Sequence, residues 1–420
     1  MKMFTIETTI TKGIAMKILI LYHSNILAPK PGADEHIYTT AKFLSESNDV
    51  TVLTWGVGRS ETYRFENLTI IHNGRDEVAG EQKFLSKFPS SIIYSLSYIG
   101  IYQLLFLNRA RGPSPKVFRE LNFNEFDIAV RISFDNNRIP KYISKRYNTK
   151  VVELAIVSGL PHYIENANNW SDFYSGFSPI KFTFFRQLNK VIKRVVFSFY
   201  LSSLASRNVI VISEYDRKVL EKIKKLEVIY TPAILNFKPN TSIPSREKTV
   251  IFFSGKTFVS ILASEYILHI ANELPEIKFS ITGFITDKLK EENVPSNVII
   301  HGYLEIEKFH ELLVKSSVVI FPLISGSGLQ TKMVEALSMG KPIITTSVIS
   351  GEFPELLDGI HVLIEDDPLE FTKKIKILIE DIDLRSKLSK NAIEYYKTHF
   401  DQELALETHL RYFSKVLGER

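Results

Sequence analysis

The chain keeps returning to one pattern: a short apolar run, a polar loop, a helix-length amphipathic stretch, then another apolar run. It begins at residues 18–22, passes through the loop HSNILAPKPGADEH and a helical pattern over about 36–47, and reaches DVTVLTW. Strand, loop, helix, strand is the repeating unit of a parallel α/β sheet. More apolar runs follow at DIAVRISF, KVVELAIV and NVIVIS. The series restarts at Thr249 with TVIFFSG, a helix over about 261–274, KFSITGF, NVIIHGY and a helix over about 307–316. It continues with VVIFPLI, another helix, PIITT and HVLIE, and the residues from Pro368 onward look helical. The two series are separated by TPAILNFKPNTSIPSREK, which is rich in Pro, Ser and Asn. The expected fold class is therefore α/β, with two Rossmann-like, doubly wound parallel-sheet domains. The expected segments are a loosely held extension over 1–15, a first domain over 16–238 and a second over 246–398. A C-terminal helix over 399–420 is expected to pack back towards the first domain.

A chain of 420 residues is long enough for two domains with substantial cores. It has no cysteine, which excludes disulfides and thiolate metal sites and fits a reducing compartment. The first fifteen residues are polar and threonine-rich, unlike a secretion signal, so a cytoplasmic location is expected. Charge is shared unevenly. Residues 1–240 hold 32 Lys+Arg and 21 Asp+Glu, whereas the remainder holds 20 and 26. Two stretches, 82–119 and 173–213, contain no acid, and each mixes Lys and Arg with many apolar and aromatic residues. Serine and tyrosine dilute the first too much for a membrane span, which would also divide the first domain. Buried helices with solvated basic faces are one reading. A surface lying on the anionic inner face of a membrane is the other, and two such stretches in one half favour it. No nucleic-acid-binding motif accompanies the basic half.

The most informative stretch is SGSGLQTKMVEALSMGKPIITT, residues 325–346. A strand running into a glycine turn and then a helix aims unpaired backbone N–H groups, and the positive end of the helix dipole, at one spot. Gly326 and Gly328 let backbone approach a ligand closely. Lys332 adds a full positive charge, and Glu335 lies on the same helix face. N–H groups and an ammonium suit a diphosphate, and a carboxylate suits the hydroxyls of a ribose. Together they describe a nucleotide. The plainer reading is a helix start with a solvated lysine and glutamate. A dinucleotide-binding dehydrogenase would place an acid at the end of the next strand, but that strand ends IITTSVIS. SGKT at 254–257 lacks the upstream glycine of a phosphate-binding P-loop.

The second half resembles the retaining glycosyltransferase family four, also described as group 1 glycosyltransferases, of GT-B architecture. The resemblance is carried by VEALSMGKPIITT, then by GEFPELLDGIHVLIEDDPLEF and RSKLSKNAIEYYKTHFD. MKILILYHSNILAPKPGADEHIYTTAKFLSESNDVTVLTW and VIVISEYDRKVLEK resemble the family's first domain, and the likeness is weak over about 60–130 and 160–205. It implies a nucleotide sugar held mostly on the second domain, in a cleft between the two. Glu335 would hold the ribose, and Lys332 and Lys256 would stabilise the leaving diphosphate. Gly255, Ser327, Gly328 and Leu329 would line the donor pocket, with Gly32 closing from the first domain. Arg131, Glu153 and His162 follow first-domain strands and are candidates for meeting the acceptor.

The implied reaction moves a sugar to an acceptor hydroxyl, a glycan or a lipid-linked acceptor, with retention. Fixed cations and helix N–H groups would stabilise the departing diphosphate. The leaving phosphate would take the acceptor proton, so no dedicated base, metal or cofactor is expected. The acidic trio 365–367 reads as a solvated turn. The family's paired glutamates lie eight residues apart, and eight before Glu335 stands Ser327. Gly255-Lys256 stands where the family has Gly-Arg, and the lysine usual a few residues later is missing around 259–264. Ser327 keeps a second reading open, a sugar-nucleotide-binding relative without catalysis. A nicotinamide-dependent oxidoreductase is a third.

Overall fold

The computed structural model describes residues 15–22, 24, 26, 33–57, 59–75, 121–132, 139–155, 162–163, 201, 204–237, 239, 245–255, 257–289, 294–326 and 328–418. Most of both acid-free stretches falls outside them.

Strand β1 (Lys17–Tyr22) shows why the first sheet must be covered on both faces. Its side chains alternate in direction, yet those of residues 18–22 are all buried. Ile18, Ile20 and Tyr22 join one core with Ile37 and Ala41 of helix α1 (Ala33–Ser45). Leu19 and Leu21 join another with Ile139 and Ile143 of helix α2 (Ile139–Arg146). Apolar runs that do not alternate are the mark of such a sandwiched strand.

The other strands of this sheet are β2 (Asp49–Val57), β3 (Glu61–Phe65), β4 (Leu68–Arg75), β5 (Ile128–Ile132), β6 (Lys150–Ala155), β8 (Asn208–Val211) and β9 (Glu227–Tyr230). Their order is β3-β4-β2-β1-β5-β6-β8-β9, and every pairing but β3 with β4 is parallel. Helix α3 (Glu214–Leu220) follows β8 and is capped by Ser213.

The second sheet is built from β10 (Thr249–Phe253), β11 (Lys278–Thr282), β12 (Val298–Gly302), β13 (Val318–Phe321), β15 (Ile343–Thr345) and β16 (Leu363–Ile364). It is wholly parallel, in the order β12-β11-β10-β13-β15-β16. The α-helices of this half are α4 (Phe258–Glu273), α5 (Ile306–Lys315), α6 (Thr331–Ser338), α7 (Ser347–Ser350), α8 (Pro368–Glu380), α9 (Ile382–His399) and α10 (Gln402–Leu417). Sequence order reverses between the neighbours β10 and β13, so their connections leave in opposite directions and a crevice opens at their C-terminal ends.

Among the described residues, three sets of contacts join the two halves. Strand β14 (Ser325–Gly326) of the second half pairs antiparallel with β7 (His162–Tyr163) of the first. The Glu214 N–H donates to Glu352 O at 2.9 Å, and Ser213 Oγ donates to the Glu352 carboxylate. Burial, reinforced by the charge of Asp216, pushes the Glu352 carboxyl well above the usual range. The linker is clamped as well. His36 Nδ1 donates to Ile234 O at 3.0 Å, Tyr396 Oη to Phe237 O at 2.6 Å, and Tyr412 Oη of α10 to Glu227 O at 2.9 Å. Helix α10 thus lies against residues 227–235, after the second sheet is complete.

At two of the described glycines with positive φ, an added side chain would also meet a close neighbour. Gly340 (φ +60°) ends α6, with its N–H bonded to Leu337 O and that of Lys341 to Ala336 O, both at 3.0 Å. This is the Schellman arrangement, and Pro342 then prevents the helix from resuming. Gly283 (φ +97°) turns the chain after β11, where an added Cβ would lie 2.5 Å from Ser254 O. At Gly340 the nearest obstacle is the end of the Ile393 side chain, 2.6 Å away. Gly340→Ala should therefore cost roughly 1–2 kcal/mol, because a side chain can yield. Gly283→Ala, pressed against backbone, should cost about 3 kcal/mol. Chemical denaturation of both variants checks the order, and equal losses would contradict it.

Candidate functional site

The crevice between β10 and β13 is where the chemistry-bearing residues collect. The four residues of β13 are buried and fix its end. The chain then makes the short pairing with β7, turns at Gly328 (φ +76°), and enters α6 at Thr331. No side chain caps the start of α6, so the N–H groups of its first turn are not consumed by a cap.

Lys332 comes next. Its Nζ lies 4.0 Å from the point a Gly255 Cβ would occupy, which sets the ammonium against the end of β10. Gly255 thus opens the space that Lys332 faces. Burial lowers the Lys332 pKa, and the charge of Glu335 opposes that shift. An incoming anion would favour the charged form further.

Glu335, one turn on, is 9 % exposed. Its Oε1 accepts a hydrogen bond from His310 Nε2 of α5 at 3.0 Å. That bond raises the His310 pKa, burial partly offsets it, and the charges of Glu335 and Glu307 add to the rise. Beside the pair lies a cavity of about 710 Å³, lined by Phe237 and Pro239 of the linker, Glu307 and His310 of α5, Glu335 of α6, and Met339 just past its end. At the ends of β11 and β12, Phe284 and Tyr303 stack with ring centroids 4.6 Å apart, and both are exposed.

The expected site residues fall into four groups. Lys332 faces Gly255, Glu335 lies within range of the Lys332 charge, and Leu329, next to Gly328 in the chain, is half-buried and packed on the main core. Arg131 and Glu153 are opposite each other in the β5–β6 register and form a buried ion pair of 2.5 Å. Glu153 also accepts the Ala205 N–H at 2.7 Å, so these two side chains brace the first sheet. The backbone of His162 lies opposite Gly326, which brings first-domain chain to the glycine turn. Gly32, Lys256 and Ser327 lie outside the described residues.

His310 is the site residue that sequence reasoning missed. The signal available was indirect: α5 leads into β13 and α6 leads out of it, so adjacent faces of the two helices can meet.

Each carboxylate of the acidic trio has a local partner. Glu365 pairs with Lys374 at 3.0 Å, Asp366 accepts from the Ser347 N–H at 2.8 Å, and Asp367 caps α8 through the Leu369 N–H at 2.9 Å. Lys341 is likewise committed. Its Nζ donates to Val314 O and Ser316 O at 2.9 Å, closing the end of α5, and burial lowers its pKa to about 8.

Residues 248–381, which hold this crevice, match the family described as glycosyl transferases group 1. A curated relative, an uncharacterized glycosyltransferase of Methanocaldococcus jannaschii, is 25 % identical over 133 residues, covering 31 % of this chain and 34 % of the relative. The chain thus matches about a third of that relative's length. Solved structures are similar over nearly the whole chain. Sucrose-phosphate synthase from Thermosynechococcus elongatus superposes with a TM-score of 0.65 at 12 % identity, over 96 % of this chain and 99 % of that one. A glycosyltransferase from Rickettsia africae gives 0.59 at 14 % identity, over 97 % and 100 %. Anabaena HepE, solved in complex with UDP-glucose, gives 0.56 at 13 % identity, over 95 % and 100 %. At such identities the likeness is one of fold, and the chain has the two-domain GT-B architecture of these proteins.

Proposed function

We propose that this chain is a glycosyltransferase that moves a sugar from a nucleoside-diphosphate donor to an acceptor hydroxyl, with retention and without a metal ion. The observation that carries the reading is the placement of Lys332 and Glu335 one helical turn apart at the β10–β13 crevice, with Lys332 facing Gly255. The match of residues 248–381 to group 1 glycosyl transferases supports it, as does the fold shared with proteins whose structures hold UDP and UDP-glucose.

In this reading the donor diphosphate lies across the uncapped start of α6. Its negative charge grows as the sugar–phosphate bond breaks. The Lys332 ammonium and the N–H groups of the first turn already point at that charge, so they stabilise the transition state without reorganising. Lys256, beside Gly255, is a second cation for the same group. Glu335 accepts the ribose hydroxyls and fixes the nucleotide's register along the helix. The acceptor proton passes to the leaving phosphate, and β7 brings first-domain chain against the glycine turn where the acceptor would arrive.

Ser327, standing where the family carries its first glutamate, favours a second reading in which the chain binds a sugar nucleotide and does not turn it over. Binding without transfer or donor hydrolysis across many acceptors would select it. The acceptor is proposed to be a glycan or a lipid-linked sugar at the inner membrane surface, a reading that rests on the acid-free basic stretches. Among the described residues no helix is long and apolar enough to cross a membrane.

Two measurements check this. Glu335→Ala and Lys332→Ala should each lower kcat/KM for the donor by about a hundredfold or more while circular dichroism stays unchanged. Full activity in both variants would remove the site. On liposomes carrying anionic lipid, the chain should float with the vesicles at low salt and be released at high salt. No flotation at any salt would defeat the membrane reading.

A further inference from the structure

We infer that His310 is a positioning residue: it holds one oxygen of Glu335 so that the other is presented to a ribose hydroxyl. The inference rests on the donor reading above and adds a group from a different helix.

Glu335 sits on a short helix, and among the described residues no side chain of that helix hydrogen-bonds its carboxylate. Among the described residues, His310 is the one whose side chain hydrogen-bonds that carboxylate, at 3.0 Å to Oε1. An ionised carboxylate only accepts, so Nε2 must carry the proton and titration of the ring falls on Nδ1. With Oε1 occupied, Oε2 is the oxygen left for a ligand. The carboxylate plane is then set by α5, and the backbone position by α6. The His310 side chain is 42 % exposed and that of Glu335 12 %. The pair therefore has an open side, towards the cavity of about 710 Å³ that both residues line. Phe309 flanks the imidazole, with ring centroids 5.7 Å apart.

The two acids nearest the ring act in the same direction. Glu307 and Glu335 favour its charged form, while Glu311 and Lys315 of α5 line the same cavity. Glu335 is also close enough to Lys332 for its charge to be felt there. A charge-assisted bond of this kind is stronger than a neutral one and holds its geometry better.

A packing role makes different predictions from a positioning role. Phenylalanine at 310 keeps the bulk and loses the donor, whereas glutamine restores an N–H near the place of Nε2. The probes are UDP, 2′-deoxy-UDP and inorganic diphosphate, measured by calorimetry on the full chain. ADP and GDP with their 2′-deoxy forms replace the uridine pair if they bind more tightly. The wild type should prefer the ribonucleotide about tenfold. His310→Phe should lose most of that preference and bind UDP about tenfold more weakly, with diphosphate binding unchanged. His310→Gln should return UDP binding to within about threefold of wild type.

The inference is overturned if His310→Phe keeps the full preference while Glu335→Gln loses it. It is also overturned if His310→Phe weakens UDP, 2′-deoxy-UDP and diphosphate alike, which is the signature of a structural role. A wild type that binds no nucleoside diphosphate defeats the donor reading itself, and that result is distinct from both.

Discussion

The arrangement of the second domain follows from one constraint, the reversal of strand order between β10 and β13. Parallel neighbours whose connections depart in opposite directions cannot fill the space beyond their C-terminal ends. That space must be lined by strand tips and helix starts, and both carry unpaired backbone donors. Gly255 keeps one wall free of side chain, and the start of α6 supplies the other. Lys332 is held against that gap at the cost of its hydration, which is why burial lowers its pKa. The fold thus sets a cation and an uncapped helix start beside the end of β10, with Glu335 one turn further along.

The second domain does not act alone. The glycine turn after β13 is paired to first-half backbone at β7, and the linker and α10 bind the halves together elsewhere. Ser213 and Glu352 meet across the same junction, with Asp216 close enough to raise the Glu352 pKa. The crevice is therefore built from two halves whose relative position is fixed by several hydrogen bonds of ordinary strength.

Much of this was legible in the chain. Strands covered on both faces must be apolar throughout, so every strand of the second sheet and five of the eight in the first stand out as apolar runs, while β3, β4 and β9 do not. Lys332 and Glu335 are readable as a pair because three residues along a helix place side chains on one face. The β3–β4 hairpin was not legible. All five residues of β3 are exposed, and the turn passes through Glu66 at φ +48° without a glycine to announce it. Arg131 and Glu153 stood out as polar residues near strand ends, but only the β5–β6 register shows that they face each other. His310 is 25 residues from Glu335, and their meeting depends on how two helices flank β13, which periodicity does not encode.

The account stands or falls on where a nucleotide sits. A crystal structure of the chain with its tightest-binding nucleoside diphosphate tests this directly. The account predicts the diphosphate between Gly255 and the first turn of α6, within hydrogen-bonding distance of Lys332, and the ribose on Glu335. A nucleotide bound in the first sheet's crevice, or one that leaves both Lys332 and Glu335 untouched, would contradict it.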